Sequence, residues 1–256
     1  MLEGEQAEDI VQPERVWDFL ARWITPDEAT LERSAVYTFR SAVAHKWRKG
    51  RLLIAGDAAH LTPPFMGQGM CMGIRDAFNL AWKLAAVVQA RAGDALLDSY
   101  QVERAPHALA YVKTAIELGG LINSMDRQRA LQFEQDQTRS QASMKSIQPK
   151  LGRSNFMMSQ PKNQDDPVGR PFAQPLLGGG DMRFDDFVGY RHAVIARDPP
   201  KRQVPSDIIC LDASTYPSLA KQLDHLKTGA VWVRPDRYIG AIAADADALL
   251  GEMQIL

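Results

Sequence analysis

One stretch restricts this chain more than any other. A short apolar run, Arg51 to Ala55, ends in Gly56-Asp57, and a loop with two prolines (Pro63, Pro64) and two close glycines (Gly67, Gly69) leads into a long helical pattern. The run reads as a buried strand. From about Gly73, the residues Ile74, Ala77, Phe78, Ala81, Leu84, Ala85 and Val88 recur at three- and four-residue spacing, an apolar stripe on one helix face. Open α/β folds place ligands just beyond the carboxyl ends of their strands. Asp57 stands at such a position, and a carboxylate accepts hydrogen bonds from sugar-like hydroxyls. Gly67 and Gly69 allow close approach of backbone to ligand because no Cβ intervenes. Amides at the following helix start suit an anion or an electron-rich carbonyl. This order of parts fits many nucleotide-type cofactors. Gly67, Gly69 and Gly73 give G-x-G-x-x-x-G, however, and the G-x-G-x-x-G of a first dinucleotide-binding strand occurs nowhere in the sequence.

The flanking sequence fills in an α/β architecture. Val16, Trp17, Leu20, Ala21 and Ile24 put one apolar face on a helix over 13–24, and Thr25-Pro26-Asp27-Glu28 reads as the start of another. Alternation at Ala35, Tyr37 and Phe39 predicts a strand over 34–44, followed by a basic, solvated hairpin tip over 45–51. Asp94 caps a further helix, in which Pro106 predicts a break or kink. Residues 126–145 are rich in Arg, Gln and Ser and read as a surface helix or a mobile segment. Residues 149–183, with Pro149, Pro161, Pro167, Pro171, Pro175 and Gly178-Gly179-Gly180, read as a linker. Beyond it, strands are predicted over 191–196, 207–211, 230–233 and 238–243, and helices over 215–227 and 245–254.

Composition removes several function classes. With 30 Lys+Arg against 31 Asp+Glu, the net charge is -1, so no basic excess exists to track nucleic acid. No apolar run is long enough to span a membrane, and the acidic first residues do not form a signal peptide. Cys71 and Cys210 form no C-x-x-C, which argues against a disulfide framework or a structural zinc site and fits a cytoplasmic compartment. The signatures of zincins, α/β-hydrolases and P-loop enzymes are missing from the sequence.

The segment G-D-A-A-H-x-x-P-P-x-x-G-Q-G, with R-D-A-x-N-L-A-W-K-L after it, spans residues 56–84. It resembles the second flavin motif of FAD-dependent aromatic hydroxylases, the group A flavoprotein monooxygenases. V-Y-T-F-R-S-A-V-A before it and D-S-Y-Q-V-E-R-A-P-H after it are similar to the subgroup that includes 3-(3-hydroxyphenyl)propionate hydroxylase. V-R-P-D-R-Y-I-G at 233–240 resembles that subgroup's thioredoxin-like tail, which lacks the redox cysteine pair. The resemblance implies an α/β chain in three parts. Residues 1–148 are the C-terminal part of an FAD/substrate domain, 149–183 a linker, and 184–256 a thioredoxin-like module. In such enzymes NAD(P)H reduces FAD, and the reduced flavin activates O2 towards a phenolic ring.

Residue by residue, the resemblance assigns Asp57, after Gly56, to the ribityl chain of FAD. Pro63 and Pro64 shape the wall beside the isoalloxazine ring. Beyond Gly67 and Gln68, the amides of Gly69, Met70 and Cys71 lie near the pyrimidine edge. Cys71 departs from the family, in which Asn is frequent at this place. His60 is expected to be a structural hydrogen-bond partner, and Arg75 and Asp76 to stabilise the helix start. Trp82 and Phe78 are expected in the core. Because the pyrophosphate fingerprint and the family's D-G motif are missing from the sequence, the chain is expected to be incomplete for catalysis and to bind FAD weakly or not at all by itself. Two alternatives accompany this reading. One is a non-catalytic α/β assembly module, possible as a homo-oligomer. The other is the same flavin chemistry on resorcinol, chlorophenols or polyketide aromatics.

Overall fold

The computed structural model describes residues 5–122, 147–155 and 165–252. They belong to two compact units, Met1–Arg40 and Ser41–Leu256. The 126–145 segment lies outside the described residues. The first unit holds α1 (Ala7–Ile10) and α2 (Pro13–Leu20), with Pro13 at the first helical position, where its missing N–H costs nothing. The helix ends earlier than its apolar spacing predicts, in a turn closed by Trp23 N–H to Leu20 O at 2.8 Å. Glu28 Oε2 accepts from the Thr25 amide (2.9 Å) and hydroxyl (2.8 Å), so the predicted capping pair forms. It closes a turn and opens no helix.

The second unit begins with four two-residue strands, β1 (Ala42–Val43), β2 (Arg48–Lys49), β3 (Leu52–Leu53) and β4 (His60–Leu61). The strand predicted over 34–44 is reduced to β1, which pairs with β4. A strand is held by ladder bonds to a neighbour, and residues 34–41 adopt no ladder, leaving Tyr37 and Phe39 exposed. The run 51–55 is likewise no buried strand. It forms one arm of the β2–β3 hairpin, and Leu52 is exposed. The basic tip is tethered, since Arg48 pairs with Asp94 and Asp98.

Two long helices follow, α3 (Gly69–Val88) and α4 (Asp98–Ile122). Helix α3 starts four residues before the predicted Gly73, because Met72 is anchored in a core cluster with Trp47, Tyr100, Ala108 and Tyr111. Helix α4 continues through Pro106. Beside that proline, the Glu103 carbonyl accepts a hydrogen bond from Gly152 N–H at 2.8 Å.

After β5 (Leu176–Leu177), β6 (Met182–Arg183) and α5 (Phe184–Val188) comes a mixed sheet of β7 (His192–Ala196), β8 (Ile208–Asp212), β9 (Ala230–Val233) and β10 (Ile239–Ala243). The order is β10-β9-β7-β8, with β7 and β8 parallel and the other pairs antiparallel. Helices α6 (Pro217–Leu226) and α7 (Ala246–Glu252) complete it. These elements fall where the sequence places them. Alternation in β7 sends Ala193 and Ile195 to one face and Val194 and Ala196 to the other, and both faces are covered. One cover comes from the stretch expected to be a linker. Leu151, Val168, Phe172 and Leu177 are buried in the same cluster as Ile195 and Leu219.

Gly152 shows how tightly that stretch is seated. A methyl group there would lie 2.0 Å from the Val102 carbonyl oxygen and 2.9 Å from the Pro106 ring. Gly152→Ala should therefore lower stability by about 1–3 kcal/mol in urea unfolding, the usual cost of overpacking. Gly120→Ala, where nothing lies within 4 Å, should leave stability unchanged or raise it.

Candidate functional site

The predicted site residues lie on one segment, 56–71, that runs from a tight turn through β4 and a second tight turn into the first turn of α3. Gly56 adopts φ +57° and opens a tight turn over Gly56–Ala58. Asp57 on that turn is exposed. Pro63 is buried, and Pro64 begins a second tight turn that ends at Gly67 with φ +60°. Gln68 precedes helix α3 and makes no side-chain cap bond. The amides of Gly69, Met70 and Cys71, in the first helical turn, thus have no intrahelical acceptor. The chain folds back on itself here: a Cβ on Gly73 would sit 3.4 Å from Gly56 Cα. The Gly56 turn and the first turns of α3 meet backbone to backbone. The side-chain oxygen of Gln68, Oε1, is buried there and has no hydrogen-bond partner. Met70 is exposed, and Cys71 is half-buried.

What holds this loop is a polar face of α3 that the apolar pattern conceals. Ile74, Phe78 and Val88 of the stripe are 52%, 42% and 81% exposed, whereas Asp76, Asn79 and Lys83 are fully buried. Trp82, expected in the core, is half-buried. Asp76 accepts from the Gly56 amide (3.0 Å), His60 Nε2 (2.6 Å) and Arg104 Nε (2.8 Å). Burial works against its charge, but the bonds from His60, Arg104 and Gly56 outweigh it and hold the carboxyl below its ordinary range. His60 is a structural partner, as expected.

A second buried cluster joins α3, α4 and the C-terminal sheet. Glu103 Oε2 accepts from Lys83 Nζ (2.8 Å), Asn79 Nδ2 (2.8 Å) and Arg234 (2.6 Å). Its Oε1 accepts from Ser154 (2.5 Å) and Arg234 (3.0 Å). Asp236 accepts from Asn79 (2.8 Å) and Arg234 (2.7 Å). Burial opposes ionisation of Glu103, yet Arg234 and Lys83 hold it far below the usual carboxylate range. Sequence reasoning missed this cluster. The signal was available, because Asp76, Asn79 and Lys83 fall at i, i+3 and i+7, a single helix face. A separate cavity of about 650 Å³, lined by Phe78, Trp82, Tyr190 and His192 among others, shares no residue with the 56–71 loop. Among the described residues there is no cluster fit for a metal ion, and no helix is long and apolar enough to cross a membrane.

A family model described as an FAD binding domain matches residues 2–115. A probable NADH-specific resorcinol 4-hydroxylase of Rhodococcus jostii (strain RHA1) is 36% identical over 95% of this chain and 49% of its own length. A 3-(3-hydroxy-phenyl)propionate/3-hydroxycinnamic acid hydroxylase of Mycobacterium avium (strain 104) is 39% identical over 78% of this chain and 36% of its own length. The chain is thus similar to FAD-dependent aromatic hydroxylases over most of its length. It spans half or less of the length of these curated relatives. Its fold is similar to that of aklavinone-11 hydroxylase, solved in a ternary complex with FAD and aklavinone (TM-score 0.68, 23% identity, 99% of this chain and 52% of that one).

The buried charges give two predictions. Glu103→Gln should destabilise the chain by about 3–5 kcal/mol, because Lys83 loses its carboxylate partner, and Arg234 one of its two, without gaining water. Burial and the Arg104 charge push the His107 imidazole down from 6.5 to about 3. The unfolded chain therefore takes up this proton first. Stability present above pH 6.5 should fall as the pH drops towards 3, by at most about 1.4 kcal/mol per pH unit from this group. Urea midpoints between pH 7.5 and 5.5 should decline less steeply in His107→Gln.

Proposed function

We propose that the 56–71 loop holds the ribityl and isoalloxazine portion of FAD, and that the protein carrying this chain hydroxylates a phenolic aromatic acid with NAD(P)H and O2. The observation that carries this reading is the placement of Asp57. It is an exposed carboxylate on a turn whose preceding amide is pinned, at the edge of a helix start without a side-chain cap. The residues present fit the group. Gln68 Oε1 is a buried acceptor without a donor, and the pyrimidine end of a flavin offers both an N–H and carbonyls. Gly67, in the left-handed region with nothing within 4 Å of a would-be Cβ, leaves open space beside it.

Bound FAD supplies the electron transfer and oxygen activation that no side chain can. The chain's own part is orientation. Asp57 accepts hydrogen bonds from ribityl hydroxyls. The amides of Gly69, Met70 and Cys71 donate towards the electron-rich pyrimidine edge, with the dipole of α3 behind them. Cys71 acts through its amide, so the departure from Asn is tolerated. Pro63 and Pro64 form a rigid wall. The partition into a flavin/substrate portion over 1–148, a connecting stretch over 149–183 and a thioredoxin-like module over 184–256 belongs to this proposal.

For the substrate, the names of the mycobacterial relatives favour a 3-(3-hydroxyphenyl)propionate-like acid. Resorcinol is the second reading, favoured by the Rhodococcus relative, which matches nearly the entire chain. Titrating FAD into the full-length protein that carries this chain tests the cofactor claim. Asp57→Ala should weaken binding at least tenfold with little change in thermal unfolding, since the side chain is exposed. NADH consumption stimulated by the phenylpropionate more than by resorcinol would support the first substrate. A colourless oligomer indifferent to FAD would overturn the reading in favour of an assembly module.

A further inference from the structure

We infer that Asp76 is a positioning residue for the flavin loop, fixing the backbone from which Asp57 projects; this rests on the flavin reading above. The two oxygens of Asp76 do different work. Oδ1 accepts from Arg104 Nε at 2.8 Å, a buried ion pair that would be complete by itself. Oδ2 reaches away from α4 and takes the Gly56 amide at 3.0 Å and His60 Nε2 at 2.6 Å. Gly56 and His60 lie on either side of Asp57 in the chain. One carboxylate oxygen therefore clasps both flanks of the turn, and of the three residues between them Asp57 and Ala58 are exposed.

The backbone of the turn is shaped for that clasp. Gly56 sits at φ +57°, a conformation that costs other L-residues roughly 1–2 kcal/mol, and it turns its amide towards α3. A Cβ on Gly56 would stand 3.6 Å from Gly73 Cα, an ordinary contact, so the positive φ and not crowding favours glycine here. The His60 ring is itself fixed, buried and packed on Trp47 at 5.6 Å between centroids. Arg104 is fully buried and has further contacts, to Met72 O at 3.4 Å and to Tyr238 Oη at 3.5 Å. Tyr238 belongs to the segment entering β10, so the clasp is braced from the C-terminal sheet as well as from α4. A group that served only as Arg104's counterion would leave Oδ2 free of the loop.

Two readouts separate positioning from plain stabilisation. The first is hydrogen exchange of the Gly56 amide followed by NMR. Asp76→Asn should speed it at least tenfold relative to amides in β7. The second is FAD affinity in a double-mutant cycle. Asp76→Asn and Asp57→Ala should each weaken FAD at least tenfold, and the double variant should bind within about twofold of Asp57→Ala, because Asp76 acts through the Asp57 turn. If Asp76→Asn does not fold, Arg104→Lys, which keeps the buried charge, should give both effects at about threefold. Unchanged Gly56 exchange in a folded variant, or additive losses in the cycle, would overturn the proposal. If Asp57→Ala leaves FAD affinity untouched, the flavin reading fails, and Gly56 exchange alone still decides whether Asp76 holds the turn.

Discussion

Two carboxylates, Asp76 and Glu103, are fully buried, as are the cations Lys83, Arg104 and Arg234. An ionised group taken out of water is stable only when charges and hydrogen-bond donors replace its hydration. That requirement orients the rest. Helix α3 must turn Asp76, Asn79 and Lys83 towards α4, where Glu103 and Arg104 stand next to one another. Glu103 then fixes Arg234 and, through it, Asp236 of the turn between β9 and β10. Adjacent residues of α4 thus serve two partners, the C-terminal sheet through Glu103 and the loop before α3 through Arg104 and Asp76.

The site follows from this inversion. Had the apolar stripe faced inward, Asp76 would point to solvent and nothing would hold the Gly56 amide. With the polar face inward, the loop is tied at Gly56 and His60, and Asp57 is left free at the surface beside the start of α3. The outer stripe, with Ile74, Phe78 and Val88, stays exposed among the described residues and runs beside the cavity lined by Phe78 and Trp82. The C-terminal sheet carries Cys210 but no cysteine pair for redox work, and its contacts with α3 and α4 include Arg234, Asp236, Tyr238 and the Trp82–His192 ring pair.

The C-terminal sheet was legible because strands such as His192–Ala196 and Ala230–Val233 are buried on both faces and read as short apolar runs between turn signals. The order of turn, glycine loop and helix around Asp57 was legible from glycine and proline chemistry. The direction of α3 was not. Hydrophobic periodicity assumes that apolar residues are inside, and here paired charges occupy the inside while Phe78 and Val88 do not. The strand expected at 34–44 failed for another reason: alternation describes a face, but a strand also needs a neighbour to bond. Residues 149–183 looked like a linker because prolines and glycines mark irregular backbone, yet Leu151, Val168, Phe172 and Leu177 show that irregular backbone can still be core.

The central claim is that the clasped turn presents Asp57 to a flavin. A crystal structure of the protein grown with FAD tests it most directly. The account predicts ribityl hydroxyls within hydrogen-bond distance of the Asp57 carboxylate and the pyrimidine edge against the amides of Gly69 to Cys71. Flavin density at another place, with Asp57 still facing bulk water, would contradict it.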